Sequence, residues 1–189
     1  MITINGKKVQ NSKKNKNIEE LISHVSENYL SESEIITQIE FDKKNIDDTE
    51  YKNLSISDFK DIDFSTKKKD DFYLDTLNSL ETLLNGLVVK SNLITSEIDS
   101  KKLNKNFLDL VSGLGVFIET LFYFKTLYSL HSNIQLNVLE KDLISILNDI
   151  SENTFINDYQ FLNELIGTHL LNNFHQWIKE VIPELKKLK

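Results

Sequence analysis

Cysteine, arginine and alanine are absent from this chain of 189 residues, and proline occurs once, at Pro183. Without cysteine there is no disulfide, no thiolate nucleophile and no Cys-ligated zinc or iron–sulfur centre. Without arginine the bidentate clamp for phosphate or carboxylate is missing, so an anion site would have to use lysine, backbone amides or helix N-termini. The missing alanine and arginine, beside abundant Asn, Lys and Ile, carry the imprint of an AT-rich genome, and a bacterial protein is expected. Glycine is scarce as well, with five residues. The only close pair, in Ser112-Gly113-Leu114-Gly115, has no third glycine at the required spacing and no preceding strand, which argues against a nucleotide-binding loop.

What is present is ordinary for a folded globular chain: 40% hydrophobic and 27% charged residues. The formal net charge of −7 repels nucleic acid and anionic lipid at long range, and no motif or basic face suited to DNA or RNA is found. Lysine clusters at Lys13-Lys14, Lys67 to Lys69 and Lys186-Lys187 read as solvated surface. Met1 to Ile4 run directly into Asn5-Gly6-Lys7-Lys8, so no cationic stretch precedes an apolar core; the expectation is a cytoplasmic protein without a secretory signal. One stretch, Leu110 to Leu130, is long enough to span a membrane, but Glu119 and Lys125 lie inside it. At about 2.5–3.5 kcal/mol for a central charge, the expected state is a buried soluble helix.

The period of the apolar residues changes near Lys67-Lys68-Lys69-Asp70-Asp71. Before it, Ile2 and Ile4 alternate with polar residues, Asn5-Gly6 is a strong hairpin signal, and Lys7 to Val9 return. Asn17, with Glu20 three residues on, is placed to cap a helix carrying Ile18, Leu21, Ile22, Val25 and Tyr29. Ile35, Thr37, Ile39 and Phe41 then fall on one face of a strand, with Gln38 and Glu40 on the other. A polar turn over Asp42 to Asp48, a 3₁₀ or helical turn over Leu54 to Phe59, and an alternating Ile62, Phe64 and Thr66 complete the segment. This order, strand, strand, helix, strand, short helical turn, strand, resembles the β-grasp or ubiquitin-like fold. The resemblance rests on the Ile2–Val9 hairpin, the Ile18–Tyr29 helix, the Ile35–Phe41 strand and the Leu54–Phe64 return, and it covers the first third of the chain. It implies a protein-binding module. The chain departs from conjugated members of that family because it runs on through Ser65-Thr66-Lys67 where they end in Gly-Gly.

After the change, apolar residues follow alternating four-and-three spacing. Tyr73, Leu77, Leu80, Leu84, Leu87, Ser91, Ile94 and Ile98 form one seam, and Leu103, Phe107, Leu110, Leu114, Phe117, Leu121, Phe124 and Tyr128 repeat it after a polar break at Asp99 to Lys102. A third stripe runs through Leu136, Leu139, Leu143, Ile146 and Ile150. A fourth contains Tyr159, Leu162, Leu165, Ile166, His169, Leu170, Phe174 and Trp177, with Pro183 expected to end or kink its helix. The fold class expected is α+β: a small β-grasp-like domain over residues 1–68, then an all-α antiparallel four-helix bundle over 69–189.

The second of these helices is apolar around nearly its whole circumference at Phe117, Ile118, Leu121, Phe122, Tyr123, Phe124, Leu127 and Tyr128, more than neighbouring helices can cover. The chemistry-bearing residues do not converge. His169 and His175 lie about 240° apart around a helix and cannot share a metal; His24 and His131 sit apart from them. The bundle lacks the Glu-x-x-His pairs of di-iron proteins, and no serine has a nucleophile-elbow context. No cofactor or metal is expected. The function expected is non-enzymatic: an interaction or adaptor protein that buries Phe117, Phe122, Tyr123 and Trp177 against a protein partner or a second copy of itself. The alternative is a helical-bundle enzyme or small-ligand binder using Glu119 with a histidine, His169, in an interior pocket. Membrane binding through the aromatic helix is a third, weaker reading.

Overall fold

A computed structural model describes residues 1–10, 17–45, 54–97, 105–156 and 158–188. The chain divides into two compact units, Met1–Phe72 and Tyr73–Lys189. The fold is α+β, an N-terminal five-stranded mixed sheet followed by helices.

In the first unit, strands β1 (Ile2–Ile4) and β2 (Lys7–Lys8) are joined by Asn5 and Gly6 at φ 49° and 74°. Both central residues are left-handed, as a tight hairpin turn demands. Helix α1 (Ile18–Tyr29) starts where Asn17 accepts the Glu20 backbone N–H at 2.8 Å. Strand β3 (Glu34–Phe41) turns through Asp42 and Lys43, also left-handed, into β4 (Lys44–Asn45). A 3₁₀ turn, Ile56–Asp58, is closed by a capping box between Ser55 and Asp58 and leads to β5 (Ile62–Lys68). The strand order is β2-β1-β5-β3-β4, with β1 and β5 parallel and the other pairs antiparallel. Ile18, Leu21 and Val25 of α1 pack on Ile2, Phe41, Ile62 and Phe64, and the Phe41 and Phe59 rings meet at 4.7 Å. Polar groups cover the edge of this core: Tyr29 donates its hydroxyl to the Gln10 carbonyl at 3.0 Å.

One expected face is corrected. The pairing of β3 with β5 shifts between Ile36 and Gln38, so Thr37 is an extra residue at a bulge, and the inward set is Ile36, Ile39 and Phe41 instead of Ile35, Thr37, Ile39 and Phe41. Strict alternation cannot survive an inserted residue, because each one moves the following side chains to the opposite face. The lysine pair Lys13-Lys14, the end of the polar turn at 46–48, the break at 99–102, and Ile98 and Leu103 lie outside the described residues.

The second unit is built on α2 (Lys69–Glu97) from Tyr73 onward, α3 (Lys105–Leu127) and α4 (Ile134–Ile156), with a 3₁₀ turn at Leu130–Ser132. A last helical run then passes through α5 (Tyr159–Glu164), a π turn (Leu165–Leu170), α6 (Leu171–Gln176), a second π turn (Trp177–Val181) and α7 (Ile182–Lys186). Tyr73 packs on Phe124 and Tyr128 while Lys90 pairs with Asp109 at 2.9 Å, so α2 and α3 run antiparallel. The heptad seams form one core: Tyr73, Leu77, Leu80, Leu84, Leu87 and Ile94 meet Phe107, Leu110, Leu114, Phe117, Leu121 and Phe124, with Leu136, Leu139, Leu143, Ile146 and Ile150 of α4 against them. Gly113 allows a close approach of α2 and α3, since a Cβ there would stand 2.6 Å from Leu87 Cδ2.

The final run keeps one buried face through its π turns. Leu162, Ile166, Leu170 and Phe174 are buried and spaced by four, and each such step overshoots an α-helical turn by about 40°. A wider turn absorbs the surplus residue, and Leu165–Leu170 supplies it. The second π turn ends just before Pro183, whose ring cannot tolerate an ordinary i−4 carbonyl and whose missing N–H leaves that bond unmade. The helix therefore continues past Pro183 to Lys186 instead of ending there.

Candidate interaction surface

The core boundary divides the four aromatic residues singled out above, three of them on α3 and Trp177 on the final helical run. Phe117 and Trp177 lie in the core, 0% and 1% exposed, with rings in an edge-to-face contact at 5.4 Å. They belong to the inward heptad seam and present nothing to a partner. Phe122 and Tyr123 are outside it, 57% and 63% exposed, and their rings touch each other at 5.9 Å and 73°. The reason is positional: Leu121 and Phe124 occupy the inward sites, so the two residues between them must project the other way.

The outward face has its own four-and-three spacing: Leu108, Ser112, Gly115, Glu119, Phe122 and Thr126, all exposed. Exposed Val116, Tyr123 and Leu127 flank it on one side and Val111 on the other. Among these six seam residues Glu119 is the one ionisable residue, and it stands near their middle. By length and composition α3 is apolar enough to cross a membrane, the one such helix among the described residues, and 33% of its most apolar stretch is buried.

Polar groups elsewhere in the unit are structural. Lys125 is buried between Glu140, with which it forms an ion pair, and Asn137 Oδ1 at 2.8 Å. Asn173 is buried and donates to the Leu139 carbonyl at 3.1 Å and Asp142 Oδ2 at 2.8 Å. Tyr73 donates its hydroxyl to the Leu185 carbonyl at 2.9 Å, and burial pushes that phenol above its ordinary value. Lys90 holds the Asp109 carboxyl below the usual carboxylate range, chiefly by the hydrogen bond it donates. The buried Lys125 and Asn173 were not foreseen: nothing in an apolar period marks a polar residue that finds its partner on another helix.

The alternative reading places Glu119 with His169 in an interior pocket, and neither residue lines the two concavities described below. Both side chains are exposed. His169 falls inside the first π turn, whose extra residue carries it off the buried stripe on which simple periodicity placed it. His131 is exposed, His175 is half-buried, and His24 is tied locally to Asn28 at 3.1 Å and packs edge-on to Tyr29. Among the described residues no three metal-ligating side chains cluster. A concavity of about 440 Å³ in the first unit is lined by Met1, Ile2, Lys8, Val9, Gln10, Ile56, Phe59 and Ile62. Another of about 190 Å³ in the second is lined by Phe107, Val111, Leu147, Ile150, Ser151 and Thr154. Neither lining includes a histidine or a carboxylate side chain, so neither supplies the acid–base pair that catalysis of this kind needs. Set against protein-family models, curated proteins and solved structures, the chain matches none of them.

Proposed function

We propose that this chain is a non-enzymatic interaction protein in which a β-grasp-type unit is joined to an antiparallel four-helix bundle. The β-grasp reading is supported by the order of its elements, by a central β5 parallel to β1, and by one helix packed across the sheet. The bundle reading is supported by a single core shared by α2, α3, α4 and the final helical run.

The observation that carries the functional reading is the outer face of α3. Solvated helices keep their outward positions polar, yet this one offers two adjacent aromatic rings and four large aliphatic side chains around one carboxylate. Phe122 and Tyr123 are the anchors, since large aromatics dominate the energy of protein contacts. Phe122→Glu tests it: the variant keeps its helical circular dichroism and cooperative melt but loses binding by about 2 kcal/mol or more, roughly 30-fold. A global loss of folding in that variant would show Phe122 to be core and would end the proposal.

A further inference from the structure

We infer that the outer face of α3 is covered by the same face of a second copy of this chain, in an antiparallel pair centred at Phe117. This rests on the interaction reading above and specifies the partner.

The first support is area. Taking about 150–250 Å² for an aromatic side chain and rather less for an aliphatic one, the exposed parts of Leu108, Val111, Val116, Phe122, Tyr123 and Leu127 come to roughly 500 Å². That lies in the upper part of the range of about 300–600 Å² for the largest apolar patch of an ordinary monomer. With the polar seam residues between them, the face approaches the roughly 800 Å² per partner that a stable dimer buries.

The second support is self-complementarity of size. In an antiparallel pair with its two-fold axis level with Phe117, seam residues whose numbers are equally distant from 117 form layers. Phe122 then lies beside the second copy's Ser112, Glu119 beside the second copy's Gly115, and Leu108 beside the second copy's Thr126. Each layer joins a larger side chain to a smaller one, which is how facing helices interdigitate. A parallel pair would instead stack Phe122 on Phe122 and Glu119 on Glu119.

Gly115 fits this register and is otherwise unexplained. Apart from its own helical turn, no described atom lies within 4 Å of where its Cβ would stand, and its backbone is not left-handed. A glycine there weakens α3 without serving any internal contact. Beside a second copy it gives the stem of Glu119 bare backbone to lie on, as close approach requires. The same register sets the two Glu119 carboxylates about 6 Å apart along the helix axis, so their mutual repulsion limits the affinity.

Because the chain has no cysteine, the register can be read with single introduced thiols. In this geometry the two copies of Val116 lie about 3 Å apart along the axis, whereas the two copies of Val111 lie about 18 Å apart. Sedimentation velocity on the full chain is expected to show a concentration-dependent dimer, weakened at least about 30-fold by Phe122→Glu and tightened several-fold by Glu119→Gln. Under mild oxidation Val116→Cys is expected to give a disulfide-linked dimer and Val111→Cys to stay monomeric. Cross-linking of Val111→Cys but not Val116→Cys overturns the register. A wild-type chain that remains monomeric at about 100 µM overturns the second-copy inference. If Phe122→Glu then melts like the wild type, the exposed-face reading survives that failure; if it unfolds, both fall together.

Discussion

Two glycines on neighbouring helices make a signed test of how α2 and α3 pack. Apart from its own helical turn, no described atom lies within 4 Å of the would-be Cβ of Gly86 in α2, so Gly86→Ala is expected to stabilise by about 0.5–1 kcal/mol through helix propensity and a less free unfolded chain. At Gly113 in α3 the same methyl would sit 2.6 Å from Leu87 Cδ2 and 3.9 Å from Leu83 Cδ1. Leu87 is buried and cannot swing its methyl into solvent. Overpacking of this kind costs about 1–3 kcal/mol, which outweighs the propensity gain. Gly113→Ala is therefore expected to destabilise by roughly 0.5–2 kcal/mol, leaving the two variants about 2 kcal/mol apart. Urea unfolding measured on both would show the gap as a shift of midpoint at constant m-value. A thermal melt would show roughly 2–4 °C per kcal/mol for a chain of this size. If Gly113→Ala proved as stable as Gly86→Ala, the close approach of α2 and α3 at Leu87 would be wrong.

Lys125→Met should cost about 2 kcal/mol by leaving Glu140 near the core without its cation, and pairing it with Glu140→Leu should restore most of the loss, because an apolar pair replaces a buried ion pair at little net cost; a double variant no better than the single would refute this. For Asp109, the carboxyl is held low in the folded state, first by the hydrogen bond from Lys90. Its stabilising effect is then fully present above the ordinary carboxylate range of the unfolded chain and is lost as pH falls through the lower folded value. Asp109→Asn should flatten the acid limb of the curve of melting temperature against pH, and a curve parallel to the wild type would refute it.

The helical half was legible because its stripes are long and regular: the seam residues from Tyr73 to Ile94 and from Leu136 to Ile150 are buried as their spacing requires. The short elements with strong local chemistry were legible too, since Asn5-Gly6, the Asn17 cap and the Ser55 to Asp58 box act over three or four residues. Failures came where one residue was inserted into a period. Thr37 in β3 and the π turn containing His169 each break the count, and an inserted residue leaves no mark in composition. The apolar character of α3 showed that some of it must lack cover, and the four-and-three seam, which holds Phe117 and leaves out Phe122, already marks the division that the packing shows. For Trp177 residue type points to the surface and its place in the stripe to the interior, and the stripe prevails.

The burial of Trp177 also makes the chain its own reporter. It is the only tryptophan, it sits in the second unit, and its indole N–H is buried without a partner against Phe117. Ultraviolet excitation selective for indole therefore sees one half of the molecule and is blind to the sheet. Far-ultraviolet dichroism sees both. Where the two signals separate along a denaturation curve, the difference belongs to the N-terminal unit, so the cooperativity of the whole chain can be measured without adding a label or cutting it in two.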